Sequence, residues 1–144
     1  MNEPTIIIGK EFADKVIPLI SRARKSIDII VFDWKWYPDQ IGSAIQRFNN
    51  AIIDARNRGK KVRVITNKQY TVNTLSNNKI NAQQWTSKKN LHTKLMIIDN
   101  EIIIIGSHNY TMNAFALNHE VSIIIQNTIL TERLEKYFEN LWQL

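Results

Sequence analysis

Between Leu91 and Glu120 the chain reads LHTKLMIIDNEIIIIGSHNYTMNAFALNHE, and all three of its histidines lie in that stretch. His92 and Lys94 are two residues apart, so on a strand they project from the same face, an imidazole beside a fixed positive charge. Ser107 and Asn109 follow, again two apart, and add a hydroxyl and a carboxamide. Lysine, serine and asparagine are donors suited to phosphate oxygens. A histidine among them can serve as nucleophile or base in a displacement at phosphorus. Glu120 supplies a carboxylate that can hold one ring nitrogen of an imidazole and leave the other free to attack. Gly106 lets the backbone and a substrate approach closely.

These side chains need a hairpin to hold them. Leu91–Ile98 and Glu101–Ile105 are strand-like runs joined by Asp99-Asn100, residues that tolerate positive φ. With a two-residue loop, Ile98 pairs with Glu101, His92 lies opposite Ser107 and Lys94 lies opposite Ile105. That register places His92, Lys94, Ser107 and Asn109 on one face. A three-residue loop would send Ser107 and Asn109 to the other face. His108 is expected to point away and to be structural, as is His119.

The remaining elements alternate. Ile6–Ile8 is read as a first strand. Glu11–Ser26 reads as a helix interrupted by Pro18, its end served by Arg22, Arg24 and Lys25. Ile27–Phe32 is a short apolar strand. A helix is expected to start near Pro38, with Ile41, Ala44, Ile45, Phe48, Ile52, Ile53 and Ala55 as its apolar stripe and Gly59 as its terminator. Lys61–Thr66 is the next strand. The polar stretch Asn67–Asn90 predicts a loop with one short helix and a weak strand near Trp85. Glu120–Ile125 is a last strand and Thr131–Leu144 a closing helix. LMII and IIII are apolar on both sides, which requires helices on both faces of the sheet. The expected fold is therefore a single α/β domain over residues 1–144, a three-layer α/β/α sandwich around a mixed sheet.

Composition narrows the function. The 144 residues carry a net charge of +6, which favours polyanionic partners, and 44% hydrophobic content, enough for a core. The absence of cysteine excludes disulfide scaffolds, thiolate zinc sites and cysteine nucleophiles. No secretory leader pattern and no membrane-length apolar run occur, so a cytoplasmic protein is expected.

His92-x-Lys94, four residues and then Asp99, followed by Gly106-Ser107-x-Asn109 and Glu120, resembles the HKD motif pattern of the phospholipase D superfamily, and the order of elements resembles that family's fold. The resemblance covers nearly the whole chain. It implies a metal-independent phosphodiesterase without cofactor, in which His92 is the nucleophile, Lys94 and Asn109 bind the non-bridging oxygens, Ser107 supports the network and Glu120 orients His92. Superfamily enzymes use two such motifs and this chain holds one. The resemblance to the small Nuc-type endonucleases thus implies a homodimer with one composite site. Asp99, at the hairpin tip, is expected to be structural, bonding amides in the turn.

Trp34, Lys35 and Trp36 follow a strand end, where ligand clefts of open α/β sheets gather, and could stack on bases and hold phosphate. Lys88 and Lys89 offer a phosphate track, and Lys60, Lys61, Arg63 and Lys68 add positive charge. The leading expectation is an endonuclease acting on DNA or RNA. The alternatives are a lipid-acting phospholipase D or phosphatidyl transferase, which would want an apolar entry loop, and a non-catalytic nucleic-acid-binding module, against which the intact motif argues.

Overall fold

The computed structural model describes residues 3–144. Seven strands, β1 (Thr5–Ile8), β2 (Ser26–Val31), β3 (Lys61–Thr66), β4 (Asn81–Gln84), β5 (Leu95–Ile98), β6 (Ile102–Gly106) and β7 (Val121–Gln126), form one sheet in the order β1-β7-β6-β5-β2-β3-β4. β2, β3 and β4 are parallel and the other pairings antiparallel, so the sheet is mixed. Four helices accompany it: α1 (Phe12–Ser21), α2 (Ala44–Asn57), α3 (Gln69–Asn77) and α4 (Thr128–Trp142).

The expected three layers are present. Met96, Ile98 and Ile104 join the core beneath α1 and α2, with Phe12, Val16, Phe48 and Ile52. Leu95, Ile97 and Ile103 pack on the opposite side around Phe138 of α4. Each central strand thus buries both its odd and its even residues, as its unbroken apolar run requires. On the α4 side, Asp28 of β2 receives two hydrogen bonds from Arg63 of β3, at 2.8 and 3.0 Å, and Arg63 also bonds Glu139 of α4 at 2.5 Å. The guanidinium lies over Phe138 and Trp142. This group fastens α4 to the sheet.

Two helices are shorter than their sequence patterns. α1 passes through Pro18 and stops at Ser21 rather than Ser26. The amides of Arg24, Lys25 and Ser26 are taken instead by the Asp99 carboxylate, at 2.7 to 3.1 Å. Arg24 and Lys25 therefore lie in the turn to β2 and do not close the helix. α2 begins at Ala44, not near Pro38, because Ser43 caps it by accepting from Gln46 N. Ile41 consequently stays outside the stripe, 73% exposed. Gly59, with φ 88°, ends the helix as expected. The polar stretch after β3 folds into α3 and the short edge strand β4, one residue short of Trp85.

The hairpin register differs from the expected one. Asp99 and Asn100 do adopt positive φ, 56° and 55°, and Glu101 N bonds Ile98 O. But Ile98 pairs with Ile102, leaving Asp99–Glu101 as a three-residue connection. Glu101 is engaged by the neighbouring strand instead: its carbonyl accepts from Asn127 N and its carboxylate from Gln126 Nε2. The parity that placed Ser107 and Asn109 on the face of His92 therefore fails within the sheet.

Candidate active site

One end of the sheet collects the residues singled out above. The segment before β5 carries His92 and Lys94, the segment after β6 carries Ser107 and Asn109, and Glu120 precedes β7. The carboxyl ends of the parallel strands β2 and β3 open at the same end, where ligand sites of open α/β sheets form.

His92 and Lys94 do not sit on a strand, since β5 starts only at Leu95, yet they are side by side. Lys94 Nζ lies 3.2 Å from both ring nitrogens of the exposed His92. The Lys94 ammonium is half-buried, and desolvation lowers its pKa against the opposing pull of the Glu120 carboxylate. The His92 ring rests 5.5 Å, centroid to centroid, from Phe32 at the end of β2.

Ser107 and Asn109 reach the site by a route that strand parity does not describe. β6 ends at Gly106, and the chain then leaves the pleat. Ser107 Oγ donates to Glu120 at 2.5 Å and accepts from Val121 N at 3.0 Å. The next residues cross the end of β5 to pair with the exit of β2. Tyr110 bridges Trp34, Tyr110 N bonds Asp33 O, and Lys35 N bonds Tyr110 O. Asn109 Oδ1 accepts from Asp33 N at 3.1 Å. That bond fixes the amide with its oxygen turned to the protein, and its NH2 donors have no partner among the described residues.

Glu120 holds Ser107 and accepts from Asn118 Nδ2 at 3.1 Å. Within one chain it makes no hydrogen bond to His92 among the described residues; Lys94 is the polar neighbour of that ring. Gly106 is required by the sheet. A Cβ there would meet Ser122 Cα and Val121 O at 2.4 Å each.

The Asp99 carboxylate bonds the amides that open β2 and not those of its own turn. Burial pushes its pKa up. The Arg24, Lys25 and Ser26 amides and the Arg24 charge outweigh that and hold it below the usual aspartate value. His108 is 1% exposed and bonds Ser122 Oγ and Gly9 O, at 2.7 and 2.8 Å, against the Phe12 ring. It belongs to the core. His119 is exposed.

Trp34 has no face free to stack on a base, and Trp36 is half-buried against it. Trp34 is 0% exposed and its Nε1 bonds Asn49 at 2.6 Å, so it is core. Trp36 stacks on Trp34 at 4.9 Å and packs against the same core. Both follow the crossing of Tyr110, which draws the exit of β2 inward. Lys35 is exposed and pairs with Asp33 at 3.8 Å. Lys88 and Lys89 are exposed on the loop before His92, where Trp85 Nε1 holds Lys89 O at 2.7 Å.

Lys68, one of several basic residues in the sequence, lies at the site. Its Nζ stands 5.0 Å from the centroid of the Phe32 ring, the same ring that supports His92. Its position just after a strand end was the available signal. Among the described residues, no group of three or more histidine, cysteine or acidic side chains is arranged to hold a metal, and no helix is long and apolar enough to cross a membrane.

The family model described as "Cardiolipin synthase, PLD-like domain" matches residues 16–142. Among curated proteins, mitochondrial cardiolipin hydrolase of Xenopus tropicalis is 24% identical over 135 residues, which cover 90% of this chain and 60% of that protein. The chain thus spans a little over half the length of such relatives. Among solved structures, the phospholipase D family member Nuc from Salmonella typhimurium superposes with a TM-score of 0.81 at 21% identity, covering 98% of this chain and 95% of that one. NucT from Helicobacter pylori gives 0.77 at 23% identity, covering 98% and 96%.

Proposed function

The chain belongs to the PLD-like domain family, and from that membership we propose that it is a metal-independent endonuclease whose active site is completed by a second copy of itself. The observation that carries the reading is the convergence of His92, Lys94, Ser107, Asn109 and Glu120 on one exposed sheet end.

The chemistry needs a nucleophile, an acid and a way to neutralise phosphate charge. A His92 ring nitrogen attacks phosphorus and forms a P–N bond as the P–O bond to the leaving group breaks. His92 of the partner subunit, as imidazolium, gives its proton to the departing alkoxide. The resulting neutral ring then takes a proton from water, whose oxygen attacks phosphorus and breaks the P–N bond. Lys94 and the free NH2 of Asn109 meet the non-bridging oxygens. Ser107 and Glu120 form a hydrogen-bonded pair at the edge of the same site. One chain brings a single imidazole, that of His92, beside Lys94, so nucleophile and acid call for two copies related by a two-fold axis.

Net charge and the polar stretch Asn67–Asn90 favour nucleic acid as substrate. The name of the cardiolipin hydrolase relatives supports a second reading, hydrolysis of a phospholipid diester. Purified protein incubated in EDTA with plasmid, single-stranded DNA and cardiolipin vesicles separates the two. Cleavage of DNA without divalent ions is expected. Cleavage of vesicles alone would favour the lipid reading, and dependence on added magnesium would defeat the mechanism. Mixing equal amounts of wild type with His92→Asn tests the composite site. Random pairing leaves about one quarter of the dimers with both histidines, so activity should fall to about a quarter of that of pure wild type at the same total protein. Retention of one half would mean that each chain works alone.

A further inference from the structure

We infer that Lys68 holds a second phosphate of the substrate, next to the one being cleaved, and so makes the site one for polynucleotides rather than for isolated phosphodiesters. The inference rests on the phosphodiesterase reading above and adds to it a binding position that the catalytic set does not contain.

Two contacts through one ring place Lys68. Phe32 is half-buried at the end of β2. The His92 ring lies 5.5 Å from its centroid and Lys68 Nζ lies 5.0 Å from the same point. Together those distances bound the separation of the ammonium from the imidazole at about 10.5 Å. A nucleic-acid strand carries a phosphate for about every 3.4 Å of helix axis, so the two groups lie at most about three nucleotides apart. A phosphate at His92 therefore puts a flanking phosphate within reach of Lys68.

The charges around Lys68 leave it available. The Asp33 carboxylate, at this end of β2, receives the Tyr70 hydroxyl and pairs with Lys35 at 3.8 Å. Lys35 is thereby partly neutralised. Lys68 makes no ion pair or hydrogen bond through its side chain among the described residues. Phe32 gives the ammonium a fixed position without a counter-charge. An anion placed there meets a cation not already claimed by protein.

The test compares substrates that carry one phosphate with substrates that carry several. Wild type, Lys68→Gln and Lys68→Arg are assayed on bis(p-nitrophenyl) phosphate, on a short single-stranded oligonucleotide, and on the same oligonucleotide with neutral methylphosphonate linkages beside one cleavable diester. For Lys68→Gln, KM on the charged oligonucleotide should rise about tenfold with kcat little changed, the loss of one hydrogen bond to a charged group. The slope of log affinity against log salt should fall by about 0.7. The variant should lose less than twofold on bis(p-nitrophenyl) phosphate, and wild type on the neutralised oligonucleotide should resemble the variant on the charged one. Lys68→Arg should restore most of KM. Equal losses on all three substrates would overturn the inference, because Lys68 would then act through Phe32 on His92. So would an unchanged KM on the oligonucleotide. A KM defect confined to cardiolipin vesicles would move the second phosphate to a lipid and overturn the polynucleotide assignment. A wild type inert on bis(p-nitrophenyl) phosphate and on the oligonucleotide would instead sink the phosphodiesterase reading beneath it.

Discussion

Lys94 Nζ stands 3.2 Å from both ring nitrogens of His92, and the ammonium in that contact is partly desolvated. A cation held beside an imidazole, with only the Glu120 carboxylate to offset its burial, is poised for an incoming anion. The sign of the linkage follows. Its folded pKa is depressed, so between that value and the ordinary lysine value the folded state binds fewer protons than the unfolded one, and the charged form burdens the fold at neutral pH. Lys94→Met should therefore raise stability by about 0.5–1 kcal/mol while lowering kcat/KM on a phosphodiester by about 10²–10³. Denaturant melts and steady-state kinetics on the same preparation check both halves. A variant that loses activity and stability together would mean that the lysine is part of the scaffold.

An oxyanion should also be felt by Lys94 in reverse. Vanadate or tungstate bound at His92 favours the ammonium and raises its pKa, so binding at alkaline pH should take up protons from solution. Calorimetry of wild type in buffers of different ionisation heat, at a pH above 9, should show that uptake, and Lys94→Met should abolish it. An identical proton count in the two proteins would place the anion elsewhere.

Asp99 organises the opposite end of the sheet. Its carboxylate accepts the amides of Arg24, Lys25 and Ser26 and so joins the hairpin turn to the entry of β2. Asp99→Ala leaves those amides unpaired and should cost about 2–3 kcal/mol, with Asp99→Asn in between. Because its folded pKa is depressed, this contribution is present above the ordinary aspartate value and lost as pH falls through the folded value. Urea midpoints from pH 7 down to pH 3 should converge for wild type and Asp99→Ala. The kcat of the folded fraction should stay near that of wild type, since Asp99 lies in the turn after β5 while His92 and Lys94 precede that strand.

Most of the architecture was legible because it is written in β-branched runs. The Ile-rich strands announce burial on both faces, and they are found with helices above and below. The candidate site was legible too, because residue types and spacing carry it whatever the register. What failed was parity. A one-residue difference in the turn, with Glu101 engaged by Gln126 and Asn127, reverses every face assignment downstream. Ser107 and Asn109 arrive only because the chain abandons the pleat after Gly106. Trp34 misled for a related reason. A tryptophan after a strand end looks exposed until Tyr110, more than seventy residues away in sequence, pairs with it and closes the core. Long-range pairing of that kind has no local signature.

Gly106 marks the point where the chain leaves the sheet, and the neighbouring strand leaves no room for a side chain. Backbone atoms of Val121 and Ser122 would lie 2.4 Å from a Cβ. Gly106→Ala should force β6 and β7 apart, destabilise by about 1–3 kcal/mol and lower kcat by disturbing the Ser107–Glu120 contact. Hydrogen exchange should show early opening of the Ser107 and Val121 amides. Activity lost with those amides still protected would mean that the glycine serves the substrate after all.

Glu135 should set the alkaline side of stability. It lies on α4 beside Asp28, Arg63 and Glu139, with Lys25 and Lys61 lining the same cleft. Burial and then the hydrogen bond and charge of Asp28 raise its pKa to about 8, while Arg63 acts the other way. Glu139, bonded to Arg63, is held below the usual glutamate value. The two glutamates therefore work in opposite senses. A raised folded pKa means that the Glu135 contribution is full below its ordinary value of 4.5 and is lost as pH rises towards about 8. A depressed one means that the Glu139 contribution is present above the ordinary value and lost in acid. Glu135→Gln keeps the protonated shape at every pH. It should leave stability near pH 5 almost unchanged and raise it by roughly 1–2 kcal/mol at pH 8.5, once solvent screening of this half-exposed group is allowed for. Glu139→Gln should instead lose stability at neutral pH, because Arg63 would retain Asp28 alone. Thermal melts of the three proteins from pH 4.5 to 9 decide it. A wild-type curve as flat across that range as that of Glu135→Gln would mean that Glu135 is already ionised at pH 5 and that its unpartnered oxygen is reached by water.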